Sequence, residues 1–279
     1  MPELPEVRTV VKDLRPKLIG FKFVDVIVLK EKMLSNSSLE EFKLFLNNEK
    51  ILNIKNIGKH IIFELSSDKF LISHLRMTGK YFSSTNSRNT AHDYLIFKLK
   101  NDDNKLIELF YNDYRQFGTF HIKTKMNLFT TKPLLNLGKE PDEINIEELY
   151  KKIRKKSIPI KTFLLDQSYI LGIGNIYANE VLFDVMIDPE TKTNLIPFDK
   201  FKEIILSAKN IMDLSTKLGG STINDYSSLD GTKGNYQTLL KVHLRKNKEC
   251  FRCKNIIESK FVNQRMTYYC SNCQKEKYE

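Results

Sequence analysis

Four cysteines carry the clearest chemistry in this chain. Cys250-Phe-Arg-Cys253 and Cys270-Ser-Asn-Cys273 form a C-x2-C … C-x2-C arrangement. Each pair can offer two thiolates to one metal from a tight turn, and two pairs complete a tetrahedron. All four cysteines are used, so no coordination position stays open. The spacing predicts one structural Zn2+ holding a β-hairpin. An iron centre is the alternative, and two disulfides are disfavoured inside a cell. The metal would stabilise a segment too small for its own core. Lys246, Lys248, Arg252, Lys254, Lys260 and Arg265 make the module basic, which suits phosphate contact. A protein-binding ribbon would carry the same pattern.

The second signal is Pro2 with Glu3 and Glu6. Removal of Met1 would free a secondary amine on Pro2. Such an amine can attack a sugar C1′ and form an iminium. Two adjacent carboxylates can protonate a leaving base or ring oxygen. The structural alternative is a helix start, where proline and acids are favoured for the backbone's sake.

These groups need a scaffold of 279 residues, enough for two domains. With 41% hydrophobic residues the chain is globular, and 45 Lys plus Arg against 34 Asp plus Glu give a formal charge of +11. Nucleic acid is the first candidate partner for such a chain and anionic membrane the second, while a Lys-rich composition by itself explains the charge equally well. No apolar run approaches the ~20 residues of a membrane span, and the N-terminus lacks a signal-peptide core. The protein is therefore expected in the cytoplasm.

The first segment reads as a short helix with an apolar stripe of Val7, Val10, Val11, Leu14 and Leu18, ended by Gly20. Strand-like runs follow at 21–29, 51–57, 60–65, 70–75, 93–99, 106–111 and 117–122, separated by turn formers. Short strands at this spacing suggest a β-sandwich or barrel. After a Pro/Gly-containing linker the period becomes helical, over 146–155, 161–165, 175–183 and 197–218. Residues 221–236 read as a long polar loop. The fold class is α+β. The domain plan is 1–132 for the β domain, 133–145 for the linker, 146–236 for the helical domain and 237–279 for the cysteine hairpin.

Met1-Pro-Glu-Leu-Pro-Glu-Val7 resembles the opening of formamidopyrimidine-DNA glycosylases, bacterial enzymes acting on 8-oxoguanine. The resemblance runs along nearly the whole chain. His74-Leu-Arg-Met77-Thr-Gly-Lys80 and Asp113-Tyr-Arg115-Gln-Phe117-Gly118 are similar to two family loops. The stretch from Leu165 to Glu180, through Gly172-Ile-Gly174-Asn175, is similar to its helix–two-turns–helix element. The cysteine module, with Gln264-Arg265, is similar to its terminal zinc finger.

The resemblance implies an N-terminal β-sandwich, a helix–two-turns–helix domain and a zinc-finger hairpin. It implies duplex DNA containing oxidised bases or abasic sites as partner, and a monomer working at the bacterial nucleoid. By resemblance, Pro2 attacks C1′, Glu3 moves protons at the sugar and Glu6 supports it. Lys59 serves strand cleavage by β-elimination, and Arg265 serves δ-elimination and phosphate binding. His74, His92, Lys161 and Asn175 contact DNA, and a helix N-terminus such as that at Asn175 suits a phosphate. Met77, Arg115 and Phe117 fill the void left when the damaged base is flipped out. An apolar wedge and a planar cation suit that task. Thr222 and Tyr236 are the faintest candidates for base contact. Turn or core positions are the alternative for Met77 and Phe117, and strand-edge positions for the histidines.

Departures fall at His243, Leu244, Asn247 and Glu249, where the family has Tyr, Gly, Gly and Pro, and they put the turn into the finger in question. Thr78 stands where the family varies. An endonuclease VIII-like enzyme for oxidised pyrimidines is the nearest rival. Leu4, where that class has Gly, and the Met77, Arg115 and Phe117 trio favour the purine enzyme. A catalytically silent zinc-ribbon DNA-binding protein is the second rival and would be expected to lack Pro2, Glu3 or Lys59. A membrane-surface protein is a distant third.

Overall fold

In the computed structural model, residues 1–84, 90–221, 234–275 and 278 are described. The chain forms two compact units. The first comprises Met1–Asn136 with Gly219–Asn235, the second Leu137–Leu218 with Tyr236–Glu279. Of the stretch 219–235, which sequence continuity places with the helical domain, the described residues 219–221 and 234–235 lie with the β domain.

The first unit opens with α1 (Leu4–Leu18). Its stripe of Val7, Val10, Val11, Leu14 and Leu18 is buried. Among the described residues eight strands follow: β1 (Lys22–Val28), β2 (Ile51–Ile57), β3 (His60–Leu65), β4 (Lys69–His74), β5 (Lys80–Ser84), β6 (Asp93–Lys100), β7 (Leu106–Asn112) and β8 (Thr119–Thr124). They make two four-stranded sheets, ordered β1-β6-β7-β5 and β2-β3-β4-β8. Every pairing is antiparallel. The α+β class and the sandwich are as expected. Strand β6 alternates strictly, burying Leu95, Phe97 and Leu99, as a half-buried strand should. These pack in one core with Phe63, Leu71, Tyr111 and Phe120. Each such side chain contributes about 1.5–3 kcal/mol on burial.

Two elements were not read from the sequence. Helix α2 (Leu39–Leu46) begins with a reciprocal capping box between Ser38 and Glu41, a Ser-x-x-Glu signal that was available. Strand β5 pairs with β7 and closes one sheet. The run 117–122 also needs correction, because β8 starts at Thr119. Phe117 and Gly118 belong to the loop before it.

The second unit contains α3 (Ile146–Ile153), α4 (Ile160–Leu165), α5 (Asn175–Asp184), α6 (Phe198–Lys217) and the hairpin β9 (Glu258–Val262) and β10 (Arg265–Tyr269). Helix α5 is almost wholly buried. Phe163 on α4 meets Phe201 on α6 edge-on at 6.2 Å. No helix among the described residues is long and apolar enough to cross a membrane.

Candidate catalytic residues and nucleic-acid interface

Each unit holds its own set of candidate functional side chains. At the head of α1, Pro2 is buried, and Glu3 and Glu6 are 2% and 1% exposed. Glu3 is the extended N-cap residue. Its N–H donates to Glu6 Oε2 at 2.8 Å. The other Glu6 oxygen, Oε1, accepts the Ser221 N–H at 2.6 Å. Gly220, at φ +82°, packs against this carboxylate, and a Cβ there would lie 2.9 Å from Oε1. Glu6 thus holds the backbone beside Pro2, and Glu3 is the carboxylate next to that proline.

Lys59 sits in the two-residue turn between β2 and β3, where Ile57 pairs with His60. Gly58 takes φ +54° as the first turn residue, a role glycine fills at no steric cost. Lys59 is largely buried. His60 and His74 pair across β3 and β4 with rings edge-to-face at 4.8 Å. His74 Nδ1 accepts the Arg76 N–H at 2.9 Å, so the neutral ring carries its proton on Nε2. Burial, then His60, Arg76 and Lys59, push the His74 pKa far below the usual histidine range.

The β4–β5 and β7–β8 loops carry the proposed void-filling trio. Met77 is 40% and Phe117 52% exposed, so neither is a core residue. The Arg115 guanidinium lies 5.1 Å over the Phe117 ring. Asp113 is fully buried and organises both loops, a role not read from the sequence. It accepts hydrogen bonds from the Thr78 hydroxyl and, at 2.8 Å, from the Gly118 N–H. His92 is exposed, with Nδ1 3.1 Å from Tyr94 Oη, and Gln116 Nε2 donates to the same hydroxyl at 2.9 Å.

In the second unit, Gln167 builds the double turn between α4 and α5. Its Nε2 donates to the Leu165 and Ile173 carbonyls, and its Oε1 accepts the Gly172 N–H. Gly174 caps α5 in an extended conformation, followed by Asn175. The Asn175 side chain donates to the Met266 carbonyl at 3.0 Å. Lys161 is fully buried, with Nζ 3.1 Å from the same carbonyl and 2.7 Å from Thr267 Oγ1. Both residues grip β10, at whose start Arg265 is exposed. Asn263 and Gln264, at φ +44° and +61°, make the hairpin turn ahead of it.

The hairpin is anchored from below by Glu180. This buried carboxylate accepts the N–H groups of Lys241, Val242 and His243 at 2.8, 3.0 and 2.8 Å. His243 stays neutral, its pKa lowered to about 4 by burial and by Lys161. Leu244 and Asn247 adopt φ +58° and +64°. The turn into the finger is therefore made here by left-handed non-glycine residues. Tyr236 is buried against Tyr177, with centroids at 5.7 Å. Thr222 and most of the 221–236 loop lie outside the described residues.

The sulfurs of Cys250, Cys253, Cys270 and Cys273 lie within 4.8 Å of one another. Cys250 to Cys273 is 3.9 Å and Cys253 to Cys270 is 3.4 Å. A tetrahedral ion with bonds of ~2.3 Å needs S–S edges of about 3.8 Å, so the four thiols are positioned to hold a metal ion. Gln274 locks the second pair, exchanging two hydrogen bonds with Cys270 and donating to the Ile187 carbonyl.

This is an α+β architecture, a sandwich with a helix–two-turns–helix unit and a four-thiol hairpin. The family profile described as the formamidopyrimidine-DNA glycosylase N-terminal domain matches residues 1–120. The profile for the family's H2TH domain matches residues 137–227. The formamidopyrimidine-DNA glycosylase of Mycoplasmopsis pulmonis is 44% identical over 99% of both chains. That of Mycoplasma mobile is 41% identical over the same shares. The Lactococcus lactis Fpg bound to DNA with an abasic site superposes with a TM-score of 0.91 at 34% identity, covering 98% of this chain and 100% of that one. The same enzyme bound to DNA with an N7-benzyl-Fapy-dG lesion gives the same score and identity. The chain belongs to the formamidopyrimidine-DNA glycosylase family.

Proposed function

We propose that this protein excises oxidised purines, 8-oxoguanine and formamidopyrimidines, from duplex DNA and then nicks the strand as a lyase. Once Met1 is removed, the Pro2 nitrogen attacks C1′ of the damaged nucleotide. The N-glycosidic bond breaks, and the base departs with a proton supplied from the Glu3 side. The iminium left on Pro2 acidifies C2′, whose deprotonation expels the 3′ phosphate, with Lys59 serving this β-elimination. Arg265 serves the second, δ-elimination, and phosphate binding. Met77, Arg115 and Phe117 occupy the space of the flipped base. His74, His92 and Asn175 contact the phosphate backbone, whereas Lys161, a phosphate contact by resemblance, is fully buried beneath β10 and supports the hairpin that carries Arg265. Cys250, Cys253, Cys270 and Cys273 would hold one Zn2+, whose chemistry is structural. The protein acts as a monomer on the bacterial nucleoid.

The observation that best supports this reading is the commitment of both Glu6 oxygens to backbone N–H groups, one of them that of Glu3. It gives Glu6 the orienting role beside Pro2 and Glu3, and the role of acid is assigned to Glu3 by resemblance. The test is borohydride trapping with protein that begins at Pro2, on duplexes carrying 8-oxoguanine opposite cytosine or thymine glycol. A covalent adduct mainly with the first is expected. An adduct mainly with the second would move the protein to the pyrimidine class, and none with either would leave a DNA-binding module.

A further inference from the structure

Met77 and Arg115 lie on different loops, 38 residues apart in the sequence. One side chain joins those loops. The Thr78 hydroxyl donates to Asp113 Oδ1, and the same oxygen faces the Arg115 N–H at 3.3 Å as its acceptor. A hydroxyl can give and receive at once, and here it bridges a buried carboxylate to the backbone of the arginine. The two loops also close on one buried ring. A Cβ on Gly79 would sit 2.2 Å from Tyr111 Oη, and one on Gly118 1.8 Å from it. The loops can therefore touch Tyr111 only as bare backbone, and Thr78 sets how the Arg115 segment lies on the first loop.

We infer that Thr78 is a positioning residue that sets the choice of the base opposite the lesion by fixing the backbone of Arg115. This rests on the proposed function, in which Arg115 faces the orphaned base. An arginine fork offers only donors. The pairing edge of cytosine offers two adjacent acceptors, whereas that of adenine offers one acceptor beside a donor. A two-point contact distinguishes them only when the fork is held within about 0.5 Å. With the Thr78 link lost, the fork can reach either base by a single bond and the preference shrinks.

The experiment uses full-length protein beginning at Pro2, as wild type, Thr78→Val, Thr78→Ser, Arg115→Ala and the Thr78→Val/Arg115→Ala double variant. Single-turnover excision of 8-oxoguanine is measured opposite cytosine and opposite adenine, with cleavage of a preformed abasic site as a second readout. Thr78→Val should lower the cytosine-over-adenine ratio about fivefold, the weight of one neutral hydrogen bond. Abasic-site cleavage should change less than the ratio does. Thr78→Ser should restore the ratio. In the Arg115→Ala background Thr78→Val should change the ratio no further, because coupled residues are not additive. An unchanged ratio in Thr78→Val, or a further independent loss in the double variant, overturns the assignment. If Thr78→Val does not fold, Thr78→Ala carries the same expectation. A wild type that excises from neither duplex refutes the proposed function, and the specificity role falls with it.

Discussion

Acid should unfold the first unit through two neighbouring histidines. His60 and His74 face each other across β3 and β4. The His60 pKa is lowered to about 4, mainly by burial and further by Arg76, His121 and Lys59. His74 is lowered further still, again mainly by burial. Both are neutral in the fold and take up protons on unfolding, where the ordinary value of about 6.5 applies. The unfolded chain then binds more protons, so stability falls as pH falls. The loss begins near pH 6.5 and continues toward the folded values. Between pH 6.5 and 5 each histidine gives up roughly 1.5 kcal/mol, about 3 kcal/mol for the pair. His121, also lowered to about 4, is more exposed and adds a smaller, screened part. Three kcal/mol is a large share of a typical 5–15 kcal/mol stability. The assay is urea unfolding followed by intrinsic tyrosine fluorescence at pH 7.5, 6.5, 5.5 and 5.0. His60→Phe, which keeps a ring against His74, should lower the steepness of the pH dependence by about half. A flat profile between pH 6.5 and 5, or the same slope in His60→Phe, would refute the reasoning.

Three further outcomes are expected. Glu180→Gln sets an amide N–H against one of three buried backbone donors, and should cost about 1–3 kcal/mol; equilibrium unfolding and hydrogen exchange at residues 241–243 would register it. Gly118→Ala drives a methyl into Tyr111, and should cost on the order of 1–3 kcal/mol or more, seen as a lower Tm, with Gly79→Ala behaving alike. Removing metal with a chelator should abolish DNA binding before the β domain melts, measured by fluorescence anisotropy beside circular dichroism; simultaneous loss would show that the hairpin is no separate module.

Much of the scaffold was legible because its signals are local. The alternation of β6, the stripe of α1 and the cysteine spacing each follow from a period or a turn within one segment. Other elements were opaque for physical reasons. Strand β5 exists through its pairing with β7, and nothing inside Lys80–Ser84 encodes that partner. Strand β3 buries residues on both faces, which erases alternation, and it was legible only as a short run of β-formers between turn residues. Phe117 looked like a strand residue by type. It is left in a loop because Gly118 must pass bare over Tyr111 and donate to Asp113.

The same division holds for the candidate site. Sequence alone determined which groups are available: an amine-bearing proline beside two acids, a lysine after a turn glycine, four thiols in pairs, a wedge and a fork in two loops. Tertiary structure decided what each group does in the fold. Glu6 became a clamp by meeting Ser221, 215 residues away. Lys161 became the buried support of the hairpin by meeting Thr267, 106 residues away. Thr78 and Asp113 became the link between two loops. A side chain's type states which bonds it can make. Partners this far apart along the chain are chosen by the packing of the elements that carry them, and no local period records that choice.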